Sequence, residues 1–256
     1  MSNKTKLKMK AKNRRREFSA EFSFDDVPKT KRKSWSIHDL KNIRALTENQ
    51  ALAIDHYRKG KNLGLFGCAG TGKTILAMNL ALQTVLMNDG GPKRIILIRS
   101  AVQSREQGFL PGDIEQKMAL YEPPYKDVFA FLLNRPSSYD DMKAAKIVEF
   151  TSTSFLRGLT FDDAVIVFDE CQNALFREID TVITRIGKNS RLILLGDTKQ
   201  DDLSGMKSGQ PSGLPKALKI LQKMDGPFGM VEFGVNDIVR SALARDWIRT
   251  CHELAA

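Results

Sequence analysis

Six short, mostly apolar runs punctuate the chain, at residues 63–66, 94–98, 147–150, 164–168, 191–195 and 229–233. The run at 164–168, Ala-Val-Ile-Val-Phe, has no polar position at all. A strand with one face in water alternates apolar and polar residues, whereas a strand covered on both faces need not. The runs therefore predict a mostly parallel sheet flanked by helices. Longer stretches with helical periodicity separate them, opening at Thr47 and covering 75–87, 175–186, 214–224 and 236–254. Thr47 is suited to N-cap the first of these, with Gln50 completing a capping box three residues on. Gly187 closes the helix at 175–186. Strands alternating with helices predict a single α/β domain.

Two segments break the alternation. Residues 101–136 carry Gly108-Phe109-Leu110-Pro111-Gly112-Asp113 and Pro123-Pro124-Tyr125, with a helical stretch expected on each side of the two prolines. This segment is expected to lie over the C-terminal edge of the sheet, where open α/β folds bind ligands. Residues 201–213 are polar and rich in Gly and Ser, and read as a loop.

Charge divides the chain. Residues 1–46 hold 14 Lys/Arg against 5 Asp/Glu, whereas the remainder hold 26 against 25. This splits the chain into a basic N-terminal arm, residues 1–45, and a nearly neutral globular domain, 46–256. The arm has little apolar content up to Arg16 and reads as disordered in the free protein. Its second basic cluster, residues 29–33, is followed by Trp35, a pairing that suits phosphate contact plus base stacking. A solvated tail is the alternative. Cys68, Cys171 and Cys251 show neither metal-ligand spacing nor a disulfide framework. With no apolar run long enough to span a bilayer and no signal-like core, a cytoplasmic setting away from membranes is expected.

The chemistry concentrates after the first apolar run. Gly67-Cys68-Ala69-Gly70-Thr71-Gly72-Lys73-Thr74 matches G-x-x-x-x-G-K-[ST] at every fixed position, between a strand and a helix. Such a loop turns backbone N–H groups onto phosphate oxygens, with the positive end of a helix beneath. Lys73 would reach the β- and γ-phosphates of ATP, and Thr74 would place its hydroxyl on Mg²⁺. Asp169 ends the run at 164–168 and suits a carboxylate that holds Mg²⁺. Glu170 would then face the γ-phosphate and polarise a water. Gln200, in Gly196-Asp197-Thr198-Lys199-Gln200, is placed to report loss of the γ-phosphate. Arg157, Arg185 and Arg240 are candidate stabilisers of charge on the transferred group. Gln50 has a second reading besides capping, since its amide matches the N6/N7 edge of adenine.

These stretches resemble a known family. The P-loop, the 108–113 segment, Phe168-Asp169-Glu170-Cys171-Gln172-Asn173, Thr184-Arg185-Ile186-Gly187, Gly196-Asp197-Thr198-Lys199-Gln200-Asp201, Ser212-Gly213-Leu214 and Asp237-Ile238-Val239-Arg240-Ser241 occur in that order. Together, from about Thr47 to Ser241, they resemble the PhoH-like ATPases, relatives of the N-terminal motor domain of superfamily 1 helicases. The resemblance implies a RecA-like P-loop NTPase domain, ATP hydrolysis with Mg²⁺, and a role linked to single-stranded RNA or DNA. It matches Asp169 and Glu170 to the Walker B pair, and Gln200 to the glutamine that couples γ-phosphate to strand binding. Cys68 and Cys171 depart from the family, standing where proline and alanine are usual. Cys68 opens the P-loop to redox sensitivity because it lies beside Lys73.

Superfamily 1 helicases take an arginine from a second motor domain, and this chain has room for one. The arginine then comes from its own Arg185 or Arg240, or from a neighbour, which implies a homo-oligomer, with a hexamer the first expectation. Two other classes compete with a nucleic-acid ATPase. One is a non-motor nucleic-acid-binding protein that uses ATP as a conformational switch. The other is a small-molecule kinase, against which Glu170 speaks by pointing to water activation.

Overall fold

The computed structural model describes residues 35–87, 89–100, 118–156, 158–198, 211–224 and 226–254. The arm through Ser34, the 108–113 segment, Arg157 and Gln200 lie outside the described residues.

Six strands form one sheet: β1 (Asn62–Gly67), β2 (Arg94–Arg99), β3 (Val148–Ser152), β4 (Ala164–Asp169), β5 (Arg191–Gly196) and β6 (Phe228–Phe233). Their order is β3-β2-β4-β5-β1-β6, and the pairings among the described residues are all parallel. Side chains alternate strictly between two apolar layers. Val165 and Val167 face one layer, and Ala164, Ile166 and Phe168 the other. Ile95 and Leu97 of β2, and Ile193 and Leu195 of β5, join the first layer, with their sequence neighbours in the second. The all-apolar strand is thus two interleaved buried faces.

Helices cover both layers. The first layer packs under α1 (Glu48–Arg58), α2 (Lys73–Met87), α3 (Pro123–Leu133) and α4 (Ser138–Ala144). The second packs under α5 (Phe176–Thr184) and α6 (Leu214–Lys223). Trp35, Ile37, Leu40 and Ile43 also pack against the first layer, so packing reaches back ahead of Leu46. No described helix is long and apolar enough to cross a membrane.

Three local expectations change. Pro123 and Pro124 open α3, where a missing N–H costs nothing at the first helical turn. α4 is short, half polar, and was not legible as a helix. The last helix, α7 (Ala242–Leu254), starts later than residue 236. The chain holds Ile238 extended, and the Val239 N–H donates to Gly70 O at 3.0 Å. That tertiary hydrogen bond takes the segment away from the helix.

Gly213 shows how tightly the second layer is closed. A Cβ there would stand 2.0 Å from the Phe176 backbone nitrogen, where α6 begins against α5. Gly213→Ala should therefore cost more than ~2 kcal/mol in urea unfolding. Gly234→Ala should be close to neutral, because a Cβ there meets nothing within 4 Å.

Candidate functional site

Parallel register brings the ends of β1, β2, β4 and β5 to one edge of the sheet. Phe66 pairs with Gly196, and Arg99 with Asp169. The glycine loop leaves β1 at this edge. Gly67 has φ +108°, and a Cβ there would meet Phe233 O at 2.2 Å, so only glycine allows the chain to turn here. Cys68 N–H then donates to Phe233 O at 2.9 Å, which ties the loop to β6. Thr71 is buried and donates to Cys68 O at 3.0 Å. Lys73 folds back over the loop and donates to Gly67 O and Cys68 O, both at 2.7 Å. Burial holds its ammonium below its ordinary pKa, opposed by Asp197, Asp169 and Glu170.

Thr74 and Asp169 meet across β5, with Thr74 Oγ1 donating to Asp169 Oδ2 at 3.4 Å. The same oxygen accepts from Tyr125 at 3.1 Å, and Oδ1 accepts the Glu170 N–H at 3.0 Å. Burial first, and the Glu170 charge second, push the Asp169 carboxyl up to about 6. Glu170 adopts left-handed backbone (φ 54°, ψ 40°), uncommon outside glycine. That turn takes its side chain off the strand direction. Its Oε2 accepts from Gln172 Nε2 at 2.5 Å, and Gln172 Oε1 accepts the Asp197 N–H at 3.0 Å. Gln172 is buried and joins the ends of β4 and β5.

Gln50 bears out the Thr47 cap, but its side chain turns to Leu46 and Thr71 rather than back to the Thr47 N–H. Its N–H donates to Thr47 Oγ1 at 3.2 Å, as in a cap. Its side-chain oxygen accepts from Leu46 N–H at 2.8 Å, and its amide nitrogen donates to Thr71 O at 3.0 Å. The amide thus braces α1 against the loop, and contact with a base would cost these two bonds. Beside it opens a cleft of about 690 Å³ lined by Thr47, Asn49, Glu232, Asn236 and Asp237.

Arg240 lies at this site, its Cγ 3.0 Å from where a Cβ on Gly70 would stand. Arg185 does not join it. Phe161 N–H donates to Arg185 O at 2.8 Å, just ahead of β4. Arg185 therefore sits at the N-terminal edge, a strand length of roughly 20 Å from Asp169. Gln200 lies outside the described residues. Cys68 is buried. Burial pushes the Cys171 thiol well up, so it stays a neutral thiol beneath the site. Sequence reasoning missed Tyr125, whose partner is 44 positions away, and left Gln172 without a role although it lies two residues from Glu170.

A parallel sheet, a glycine loop ending β1 and a strand-end acid beside the loop threonine define a P-loop NTPase domain of RecA-like architecture. The chain belongs to the PhoH family, whose model, described as "PhoH-like protein", matches residues 42–252. A PhoH-like protein of Bacillus subtilis is 35% identical over 79% of this chain and 62% of its own length. Protein PhoH of Escherichia coli K12 is 38% identical over 84% of this chain and 58% of its own. The chain thus spans about three fifths of the length of these relatives. Among solved structures, Pif1 helicase from Candida albicans is 14% identical with a TM-score of 0.37, over 75% of this chain and 40% of that one.

Asp169 carries a stability consequence. Its ordinary pKa is 3.8, and the fold raises it to about 6. The folded state therefore favours the neutral acid. Stability from this group is greatest below the unfolded value and falls as pH rises through the folded one. At neutral pH the cost is roughly 3 kcal/mol. Asp169→Asn should raise the melting temperature of the ligand-free protein by a few degrees at pH 8. The gain should vanish below about pH 4, and thermal melting across pH reads both.

Proposed function

We propose that this chain binds ATP with Mg²⁺ at the glycine loop and hydrolyses it in association with single-stranded nucleic acid. The observation that carries the reading is the meeting of Lys73, Thr74, Asp169 and Glu170 at one sheet edge. The donor set fits the cation, because Thr74 Oγ1 and Asp169 Oδ2 are hard oxygen ligands 3.4 Å apart beside a phosphate-type loop. Bound Mg²⁺ would neutralise charge on the β- and γ-phosphates.

The chain's own residues supply the rest. Backbone N–H groups of residues 67–74 hold the phosphates, and Lys73 gives up its two loop carbonyls to reach them. Glu170 takes a proton from the attacking water, its carboxylate steadied by Gln172. Gln200 reports the γ-phosphate. Arg240, against Gly70, stabilises the charge that develops on the transferred group. Gln50 and the neighbouring cleft take the base.

Arg185, at the far edge, can serve only a neighbouring subunit, in a head-to-tail assembly. Leu243, Trp247 and Leu254 are largely exposed on α7, whose Ile248 reaches Gly70, and they give such an assembly apolar surface to bury beside the site. A homo-oligomer, with a hexamer the first expectation, in a cytoplasmic setting is in keeping with this reading. The basic clusters ahead of Trp35 are the part of the chain that contacts nucleic acid.

ATP turnover at low salt, with and without single-stranded RNA or DNA, tests the proposal. Wild type should hydrolyse ATP faster with one strand type, and indifference to both would remove the nucleic-acid link. Lys73→Ala should lose turnover. Glu170→Gln should bind ATP yet hydrolyse it at least ~100-fold more slowly. Nucleic-acid affinity should fall steeply with salt, and deleting residues 1–34 should flatten that slope.

A further inference from the structure

Tyr125 carries a buried hydroxyl at the sheet edge that sequence motifs do not account for. It is 2% exposed, and its ring packs on Phe150 of β3 with centroids 5.5 Å apart. A phenol in an apolar layer needs a partner for its hydroxyl. Here the partner is Asp169 Oδ2, at 3.1 Å.

Several contacts hold Tyr125 in place. Pro123 and Pro124 set the backbone of the turn that carries it. One residue earlier, Glu122 accepts two hydrogen bonds from Lys143 of α4, at 2.6 and 2.8 Å. The Arg99 guanidinium lies 5.1 Å from the centre of the Tyr121 ring, and Arg99 is the register partner of Asp169. The first turn of α3 is thereby anchored to α4 and to the end of β2.

We infer that Tyr125 is a positioning residue that orients the Asp169 carboxylate toward Thr74 and so presets the cation site. Its hydroxyl and the Thr74 hydroxyl converge on one oxygen, Oδ2, while the Glu170 N–H holds Oδ1. Three donors fix the plane of the carboxylate. With Tyr125 removed, Oδ2 keeps only the 3.4 Å bond from Thr74 and Oδ1 the Glu170 N–H, so the carboxylate is held less firmly. Outer partners of a metal ligand commonly tune cation affinity by 10–100-fold. The inference rests on the reading of this site as one for ATP and Mg²⁺.

The test is binding of a fluorescent ATP analogue by the full chain, titrated with Mg²⁺ and repeated in EDTA, with thermal melting alongside. Tyr125→Phe removes one oxygen and keeps the ring on Phe150. It should raise the Mg²⁺ concentration at half-saturation about tenfold and leave analogue affinity in EDTA unchanged. Phe150→Leu disturbs the same packing but spares the hydroxyl, and should leave the Mg²⁺ midpoint within about twofold of wild type. An unchanged midpoint in Tyr125→Phe, against a wild type whose binding depends on Mg²⁺, overturns the inference. Equal shifts in both variants also overturn it, because packing alone then accounts for the effect. A wild type that binds the analogue with no dependence on Mg²⁺ overturns the underlying reading of the site instead.

Discussion

Keeping a carboxylate out of water is costly, and Asp169 ends the most completely buried strand of the sheet. The hydrogen-bond donors around that carboxylate offset part of the cost. Thr74 comes from the first turn of α2, Tyr125 from the first turn of α3, and the Glu170 N–H from the turn that ends β4. The left-handed backbone of Glu170 turns the chain away from the strand directly after this carboxylate. The edge is thus organised around one group that the fold would rather keep neutral, as expected where stability is traded for chemistry.

Much of this was readable from the chain because it is local. The glycine loop, its flanking strand and helix, and Asp169-Glu170 each lie within one short stretch. The central strands announced themselves because burial on two faces leaves no polar position, as at Val165 and Ile166. The Thr47 cap was legible for the same reason, its hydroxyl meeting the Gln50 N–H three residues on.

What was not readable is settled by contacts between distant residues. Periodicity extends the last helix back to residue 236, but Val239 prefers Gly70 O, so the chain runs extended across the loop before α7 begins. No pattern around Pro123-Pro124-Tyr125 signals a bond to a residue 44 positions on. The arginines differ in the same way. Helical position says nothing about which edge of a sheet a residue reaches, and that is what separates Arg240 from Arg185.

Gln172 gives one hydrogen to Glu170 and takes one from Asp197. Its amide offers the donor and the acceptor on one rigid plane. A carboxylate in its place would accept at both ends and repel Glu170, and an aliphatic side chain would leave the Asp197 N–H without this acceptor. Strand ends that are far apart in sequence thereby lose their independence. The route from the end of β5 to the acid at the end of β4 is two hydrogen bonds through one side chain, and because the β5 donor is a backbone N–H, any residue but proline at position 197 keeps it while only the exchange of Gln172 breaks it.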